Sequence, residues 1–350
     1  MIEGIDDEVL LMSSLMKPKK ITLVGSDGKP YGFLCKREDS GDMRKDARLM
    51  EFAAVVNRSL ARDPQAGKRQ LLLRTYAVLP LTEDCGIIEW MTNLNSLRGI
   101  VSDIHRRNRV NTTTAQIKEA FEKKKSSNLE FYEQWLLPRF PPVLHEFFLA
   151  KFVDPTAWLD ARLIFTRSVA VWSITGYVVG LGDRHGENIM IDQTSGACAH
   201  VDFACLFEKG LTLKVPEVVP FRLTPNLTDA MGVTGYEGAF RTAAEITMRI
   251  LRNSREALMS VLETFLHDPL VEWGRQVVPG AASTDSATAM AGTTHNAYAI
   301  RTRRAVELKL VGVLAGAVPL SVEGQVHRLI LDATSHLNLS NMYIWWMAWL

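Results

Sequence analysis

Apolar and polar positions change their period along the chain, and the changes mark its elements. Between Ile21 and Lys36 two β-prone runs, ITLVG and KPYGFLCK, flank a glycine-containing turn at Ser26-Asp27-Gly28, the pattern of a β-hairpin. From Asp42 to Leu60 the period lengthens: Met43, Ala47, Met50 and Ala54, with Leu49, Phe52, Val56 and Leu60, fall on a helical face, and Arg44, Lys45, Asp46 and Arg48 fall elsewhere. Residues 71–82 and 86–91 are further β-prone runs separated by Glu83-Asp84-Cys85, which predicts two strands completing a small sheet. Residues 1–92 thus read as a β-rich lobe carrying one amphipathic helix.

After Leu94 the pattern turns helical, punctuated by Pro138, Pro141 and Pro142, and the basic triplet Lys123-Lys124-Lys125 reads as a solvated face or loop. A long apolar helix is predicted over residues 160–180, ending at Gly180. It is followed by a polar loop (182–187), a strand from Asn188 to Asp192, a turn at Thr194-Ser195-Gly196 and a strand from Ala197 to Phe203. Residues 237–266 are again helical, and this helix, loop and hairpin centre a second lobe over 93–278. The stretch from Pro279 to Ala297 is small, polar and almost uncharged, so a flexible linker is predicted there, within a region reaching to 317 that includes a short helix over 301–314. A separate tail domain occupies 318–350, where three of the eight tryptophans lie in the last six residues. Such an aromatic tail is expected to pack on its own domain.

Composition narrows the function. The 350 residues are 47% apolar and 23% charged, with 40 Lys+Arg against 39 Asp+Glu. A formal net charge of +1 gives no field to gather nucleic acid or an acidic membrane, so direct binding of either by this segment is not expected. The uncharged apolar stretch Ser168 to Gly182 is shorter than the roughly 20 residues that span a bilayer, and the acidic start, Met1 to Glu8, does not read as a secretory signal. Cys35, Cys85, Cys198 and Cys205 are widely spaced and are expected as reduced thiols.

The chemistry is concentrated in Gly182-Asp183-Arg184-His185-Gly186-Glu187-Asn188 and in Ala199-His200-Val201-Asp202-Phe203. Phosphoryl transfer from ATP needs a carboxylate near the acceptor hydroxyl, an amide oxygen and a second carboxylate on the metal, and a cation on the phosphates. Asp183 and Asn188 have the spacing of the Asp and Asn in the kinase pattern H-R-D-x-x-x-x-N, and Asp202 precedes a Phe on the predicted hairpin. The histidine is displaced and follows the aspartate. Each residue alone also fits a plain structural role, with Asp183 capping a turn, Asn188 starting a strand and Asp202 at the surface; the combination favours the catalytic reading. Lys36, at the end of a strand, is placed to supply the cation. Neither G-x-G-x-x-G nor G-x-x-x-x-G-K-[ST] occurs, and the Gly25-Ser26-Asp27-Gly28 turn offers N–H groups and the Ser26 hydroxyl to a phosphate, or is a simple hairpin turn.

These motifs, with Val219-Pro220-Phe221-Arg222-Leu223-Thr224 and the aromatic C-terminus, resemble the phosphatidylinositol 3-kinase-related protein kinases. Cys85-Gly86-Ile87-Ile88-Glu89-Trp90, Arg44-Lys45-Asp46 and residues 265–273 (FLHDPLVEW) further resemble the ATR checkpoint-kinase branch, over about Val9 to Leu350. The resemblance implies an α+β bilobal kinase fold of the phosphatidylinositol 3/4-kinase type with a C-terminal FATC domain. It implies a serine/threonine protein kinase that uses ATP with Mg²⁺, or Mn²⁺ in its place, and modifies Ser/Thr-Gln sites. Lys36 would contact the ATP phosphates, oriented by Asp46, with Glu51 as second choice. Trp90 would stack on adenine unless it packs in the core, the Met91 backbone would hydrogen-bond the base, and Ile88, Met190 and Val201 would line the site. Asp183 would position or deprotonate the acceptor hydroxyl, His185 would stabilise charge on the transferred group, and Asn188 and Asp202 would hold the metal.

The resemblance also implies nuclear signalling from DNA damage, stalled replication and telomeres. The segment would be the catalytic end of a longer protein whose upstream scaffold binds an ATRIP-like subunit and which assembles as a dimer of heterodimers. Between Phe203 and Phe221 the charges Glu208, Lys209, Lys214 and Glu217 cancel, which argues for a protein substrate over an inositol phosphate headgroup. A lipid kinase on the same fold and a pseudokinase scaffold are the alternatives. The chain departs from the family pattern in two extra residues between Lys36 and Asp46, in Ala204 where most kinases carry Gly, which puts a flip of the preceding Asp in question, and in Trp345 and Ala348 of the tail.

Overall fold

Strands form where β-branched and aromatic runs sit between turn residues. The computed structural model describes residues 1–12, 17–37, 43–82, 85–110, 112–266, 286–314 and 318–350, apart from the side chains of 286–297. They group into two compact units, one of residues 1–56, 75–92 and 254–309, the other of residues 57–74, 93–253 and 310–350.

The first unit contains an antiparallel sheet of β1 (Ile2–Ile5), β2 (Leu10–Leu11), β3 (Lys19–Gly25), β4 (Pro30–Arg37), β5 (Val78–Pro80) and β6 (Cys85–Glu89). Its order is β1-β3-β4-β6-β5, and β2 also pairs with β3. The hairpin predicted over 21–36 is β3–β4, closed by Gly25 N–H to Lys29 O at 3.0 Å and Gly28 N–H to Gly25 O at 2.8 Å. The register sets Lys36 opposite Gly86 and Leu34 opposite Ile88. Helix α1 (Met43–Arg62) buries Met43, Leu49, Met50, Phe52, Val56 and Leu60 as its period predicts. Ala53 is buried and Ala54 exposed, and Asp46 shares the buried face at 7% exposure.

The second unit is mainly helical. Its helices before the 182–187 loop are α2 (Pro64–Lys68), α3 (Leu97–Arg107), α4 (Thr114–Lys123), α5 (Asn128–Phe131), α6 (Leu137–Arg139), α7 (Leu144–Lys151) and α8 (Pro155–Val179), with a π-helical turn, Tyr132–Leu136, between α5 and α6. A small sheet joins β7 (Leu94–Ser96), β8 (Ile189–Asp192) and β9 (Cys198–His200). Then come α9 (Pro225–Ala230), α10 (Ala239–Asn253), α11 (Arg255–Leu266), α12 (Ser286–Val311), α13 (Val322–Thr334) and α14 (His336–Ser340), of which α11 and most of α12 belong to the first unit.

Helix α8 organises the second unit. Asp154 caps it by accepting the Ala157 N–H, Pro155 starts it, and every residue from Ser168 to Val179 is buried. A helix apolar on all sides belongs inside a core. Trp172 on α8 stacks on His200, with ring centroids 4.7 Å apart, and on Phe203 at 5.9 Å. Ser168 Oγ accepts the Cys198 N–H at 2.9 Å, so α8 holds β9 by both packing and hydrogen bonding.

Several expectations change. Of 71–82 only Val78–Pro80 is strand, because Asn57 takes both the N–H and the C=O of Leu73, at 2.8 and 2.9 Å, while Leu71 and Leu73 are buried. β9 ends at His200 rather than Phe203, so Asp202 lies beyond the hairpin. The 237–266 helix is two, α10 and α11, broken at Ser254. α12 is helical from Ser286, where composition predicted a linker, and residues 279–285 lie outside the described residues. Lys124 is not simply solvated: its ammonium sits 3.9 Å over the Phe121 ring and 5.5 Å over Phe131.

The tail packs on the second unit. Trp346 to Leu350 are buried, Tyr132 donates its hydroxyl hydrogen to Ala348 O at 3.2 Å, and Asn226 donates to Trp349 O at 2.9 Å. The buried Arg222 guanidinium donates to Trp346 O, Met347 O and Leu350 O at 2.7–2.8 Å and lies 4.2 Å over the Trp346 ring. No helix among the described residues is long and apolar enough to cross a membrane.

Burial holds His200 well below the ordinary histidine pKa. The unfolded chain therefore takes up a proton near pH 6.5 that the folded chain refuses, and stability falls as pH drops below that value. Thermal unfolding followed from pH 7.5 to 5.5 should show this loss, and His200→Phe should remove a share of about 1 kcal/mol between pH 6.5 and 5.5.

Candidate active site

The end of α8 determines where the loop after it goes. Gly180 takes a left-handed conformation (φ 62°), its N–H bonds to Gly176 O and Tyr177 O, and Leu181 N–H bonds to Gly176 O at 2.9 Å. A Cβ at Gly180 would stand 2.5 Å from Glu208 N, so only glycine fits both the turn and the contact. The chain then passes through Gly182, whose N–H bonds to Cys205 O at 2.8 Å, into Asp183 with φ 58°. The Asp183 carboxylate is about half exposed, at 49%.

Asn188 closes the loop. Its N–H bonds to His185 O at 3.0 Å and its Nδ2 donates to Asp183 O at 2.9 Å, while the residue is only 7% exposed. Commitment of the amide nitrogen leaves Oδ1 as the metal-competent atom. His185 Nδ1 accepts the Glu187 N–H at 3.2 Å, which puts the proton of the neutral ring on Nε2, 4.0 Å from Asp183 Oδ1. Burial lowers the His185 pKa; Asp183 opposes the shift, and Arg184 and Arg222 add to it. His185 is therefore a neutral N–H donor near pH 7. The loop is anchored to α3, whose Arg98 N–H bonds to Gly186 O at 2.9 Å.

Arg184, 4% exposed, joins this loop to the segment after β9. Its Nε donates to Gly182 O and one terminal nitrogen to Val201 O, each at 2.9 Å, and its other terminal nitrogen donates to Asp202 O. Val201 in turn bonds through its N–H to Asn188 O at 3.1 Å. Asp202 has φ 61°, and its Oδ1 accepts the Ala204 N–H at 3.3 Å. The positive φ falls on Asp202 itself and not on residue 204, so Ala204 meets no steric penalty here. The loop thus brings together Asp183, His185 and Asn188, and Arg184 adds Val201 and Asp202; Met190 lies in β8 opposite Ala199.

Among the described residues no group of three or more His, Cys, Asp or Glu could hold a metal. Asn188 Oδ1 and the Asp202 carboxylate are two hard oxygen donors, the set that suits Mg²⁺, which keeps several waters and completes its shell with phosphate oxygens. The donor set fits that ion.

The residues expected on the nucleotide from the first unit are spread over its sheet, the turns beside it and α1. Lys36 is on β4, Asp46 is buried in the first turn of α1, and Glu51 is exposed and paired with Arg48 at 2.9 Å, so Asp46 is the interior carboxylate of the two. Ile88 is on β6, and Trp90 and Met91 follow it. Trp90 is not buried in the core: its N–H bonds to Gly32 O at 2.9 Å, and Lys20 Nζ lies 4.8 Å over one face of its ring. At the β3–β4 turn, Ser26 Oγ accepts from the Met1 nitrogen and Ser26 N–H bonds to Met1 O, both at 2.8 Å.

Sequence reasoning missed Arg184, Arg222 and Glu217 as parts of the site. Their partners are backbone groups, most of them far away in sequence, which carry no side-chain signature; only a charged residue inside a mostly apolar stretch, as in Phe221-Arg222-Leu223, could have marked one of them.

The chain resembles known proteins over its whole length. Residues 30–275 match the model of the family described as phosphatidylinositol 3- and 4-kinase, and residues 319–350 match the FATC domain. Serine/threonine-protein kinase ATR of Arabidopsis thaliana is 50% identical over 99% of this chain and 12% of its own length, and that of Oryza sativa subsp. indica is 49% identical over 99% and 13%. Protein kinase rad3 of Schizosaccharomyces pombe is 46% identical over 98% of this chain and 14% of its own. The chain therefore spans about one eighth of the length of these relatives. The solved structure of the complete CtTel1 dimer with C2 symmetry superposes with a TM-score of 0.85 at 34% identity, covering 100% of this chain and 13% of that one. With a kinase-like loop, a sheet-bearing unit and a helical unit ending in the buried tail, this chain belongs to the phosphatidylinositol 3- and 4-kinase family, as a C-terminal ATR-like kinase segment with its FATC domain.

Proposed function

We propose that the chain is the catalytic end of a serine/threonine protein kinase that transfers the γ-phosphoryl group of ATP to Ser or Thr followed by Gln. The observation that carries this reading is the loop in which Asn188 bonds to the carbonyls of both Asp183 and His185, His185 Nε2 stands 4.0 Å from Asp183 Oδ1, and Arg184 ties the loop to Asp202. Asp183 orients the acceptor hydroxyl and receives its proton as the oxygen bonds to the γ-phosphorus and the bond to the β-phosphate oxygen breaks, releasing ADP. His185 donates its Nε2–H to oxygen that gains charge on the transferring group. Asn188 and Asp202 would hold Mg²⁺, or Mn²⁺, which when bound would supply positive charge against the phosphates. Lys36 contacts the phosphates and Asp46 orients it; Trp90 stacks on adenine, Met91 offers its backbone, and Ile88, Met190 and Val201 line the base. The Ser26 hydroxyl, whose oxygen accepts from the Met1 nitrogen, keeps its own hydrogen to donate to a phosphate oxygen.

A protein substrate is favoured by the segment between Phe203 and Phe221, whose charges cancel and whose Leu211, Leu213 and Val218 are exposed. The family's lipid-kinase members keep a phosphoinositide as the second reading. The similarity to the ATR and rad3 kinases supports the reading of the full protein as one of nuclear DNA-damage and replication checkpoints and of telomeres. An ATRIP-like subunit would join through the scaffold upstream, and the CtTel1 dimer supports a dimeric assembly.

The test is phosphoryl transfer from Mg-ATP by the full-length protein to a Ser-Gln peptide, its Ser-Ala counterpart and phosphoinositide vesicles. Transfer to Ser-Gln is expected, with Asp202→Ala lowering kcat by about 10²-fold or more; transfer to vesicles alone would move the assignment to the lipid kinases. His185→Ala should lower kcat by about 10²-fold with the KM for ATP within about threefold, and His185→Gln, which keeps an N–H donor, should recover part of it. Protonation of His185 would set an Nδ1–H against the Glu187 N–H and disturb the loop. Burial lowers the His185 pKa from its ordinary value, so kcat should hold near pH 7 and fall on the acid side, less steeply in His185→Gln.

A further inference from the structure

Glu217, in the segment after Asp202, is turned inward. Its Oε2 accepts the Asp183 N–H at 2.8 Å, and its own N–H bonds to Gly210 O at 3.0 Å. A Cβ on Gly182 or on Gly210 would stand 2.6 Å from Oε2, so the carboxylate occupies a slot that exists because both residues lack side chains. Carboxylates are rarely placed in such interiors without a specific partner. Burial raises the Glu217 pKa, the Asp183 N–H opposes this, and the charged and titratable groups facing it are Asp183, Arg184, Arg222 and Cys205. Asp183 is also the residue held at φ 58°, a conformation a non-glycine residue keeps only when its surroundings enforce it.

We infer that Glu217 is a positioning residue for phosphoryl transfer: by accepting the Asp183 N–H it fixes the left-handed backbone of Asp183, and so the aim of its carboxylate. Because Glu217 belongs to the segment on which the peptide substrate would dock, the bond couples that segment's placement to the group that receives the hydroxyl proton. The inference rests on the reading of Asp183 given above. Glu217 touches neither substrate nor nucleotide in this scheme; it acts through Asp183.

The experiment measures kcat, KM for a Ser-Gln peptide and nucleotide Kd with the full-length protein carrying Glu217→Ala, Glu217→Gln or Gly210→Ala. In Glu217→Ala the acceptor is gone, and kcat should fall by about 10²-fold, the cost of a misplaced reacting group, while the ATP Kd stays within about threefold. Glu217→Gln keeps a carbonyl oxygen that can accept the same N–H, and should retain kcat within about fivefold. Gly210→Ala leaves Glu217 in the chain but crowds Oε2, and should reproduce the kcat loss; it decides the matter if Glu217→Ala does not fold. Unchanged kcat in Glu217→Ala, or in Gly210→Ala, would overturn the positioning role. Equal loss in Glu217→Ala and Glu217→Gln with ATP binding intact would overturn the hydrogen-bond acceptor role. Absence of transfer by the unmodified protein would overturn the reading of Asp183 beneath both.

Discussion

Two buried guanidinium groups bonded to backbone carbonyls hold the proposed reaction centre in place. Arg184 gathers the carbonyls of Gly182, Val201 and Asp202, and Arg222 gathers those of Trp346, Met347 and Leu350 and reaches Arg184 O at 3.3 Å. Hydrogen bonds to a charged donor contribute roughly 1.5–3 kcal/mol each, and a buried charge that loses its partners costs more than that. Burial brings the Arg222 pKa down to about 9, which still leaves it protonated at neutral pH. The two side chains therefore form a relay of bonds from the aromatic tail through the catalytic loop to Asp202. Removing the tail would leave Arg222 as a buried cation without those acceptors, which gives a physical reason for a kinase unit to carry its FATC domain with it.

Strain and its compensation follow the same path. Asp183 and Asp202 both take left-handed backbone conformations, which cost of order 1–3 kcal/mol for a non-glycine residue when nothing enforces them. Here something does: Asn188 and Glu217 bracket Asp183 through its C=O and N–H, and Arg184 fixes Asp202 through its C=O. Aspartate tolerates this region better than most residues. The two carboxylates are thus presented from backbone turns rather than from strands, and in this conformation the positive φ belongs to Asp202 and not to Ala204.

Much of this was legible in the sequence, for identifiable reasons. The β3–β4 hairpin, α1 and α8 were readable because each is a single uninterrupted period with a turn residue at its end. The spacing from Asp183 to Asn188 was readable because it equals that of the Asp and Asn in the kinase pattern H-R-D-x-x-x-x-N. Strand ends were not: residues 71–74 and 201–203 have strand-like composition, yet their backbone groups are taken by Asn57 and Arg184, and such captures leave no local pattern. The roles of Glu217, Arg184 and Arg222 were hidden for the same cause, and Glu217 entered the sequence argument only as one charge among four. α12 was misread at Ser286 because its small residues look like linker.

A structure of the full-length protein with Mg²⁺ and a non-hydrolysable ATP analogue would decide whether this loop is the reaction centre. Asn188 Oδ1 and an Asp202 carboxylate oxygen are expected on Mg²⁺ at about 2.0–2.1 Å, with the Arg184 bonds to Val201 O and Asp202 O intact and the Asp183 carboxylate facing the γ-phosphate. A metal held by other residues, or a nucleotide bound with Asp183 turned away from its γ-phosphate, would contradict the assignment.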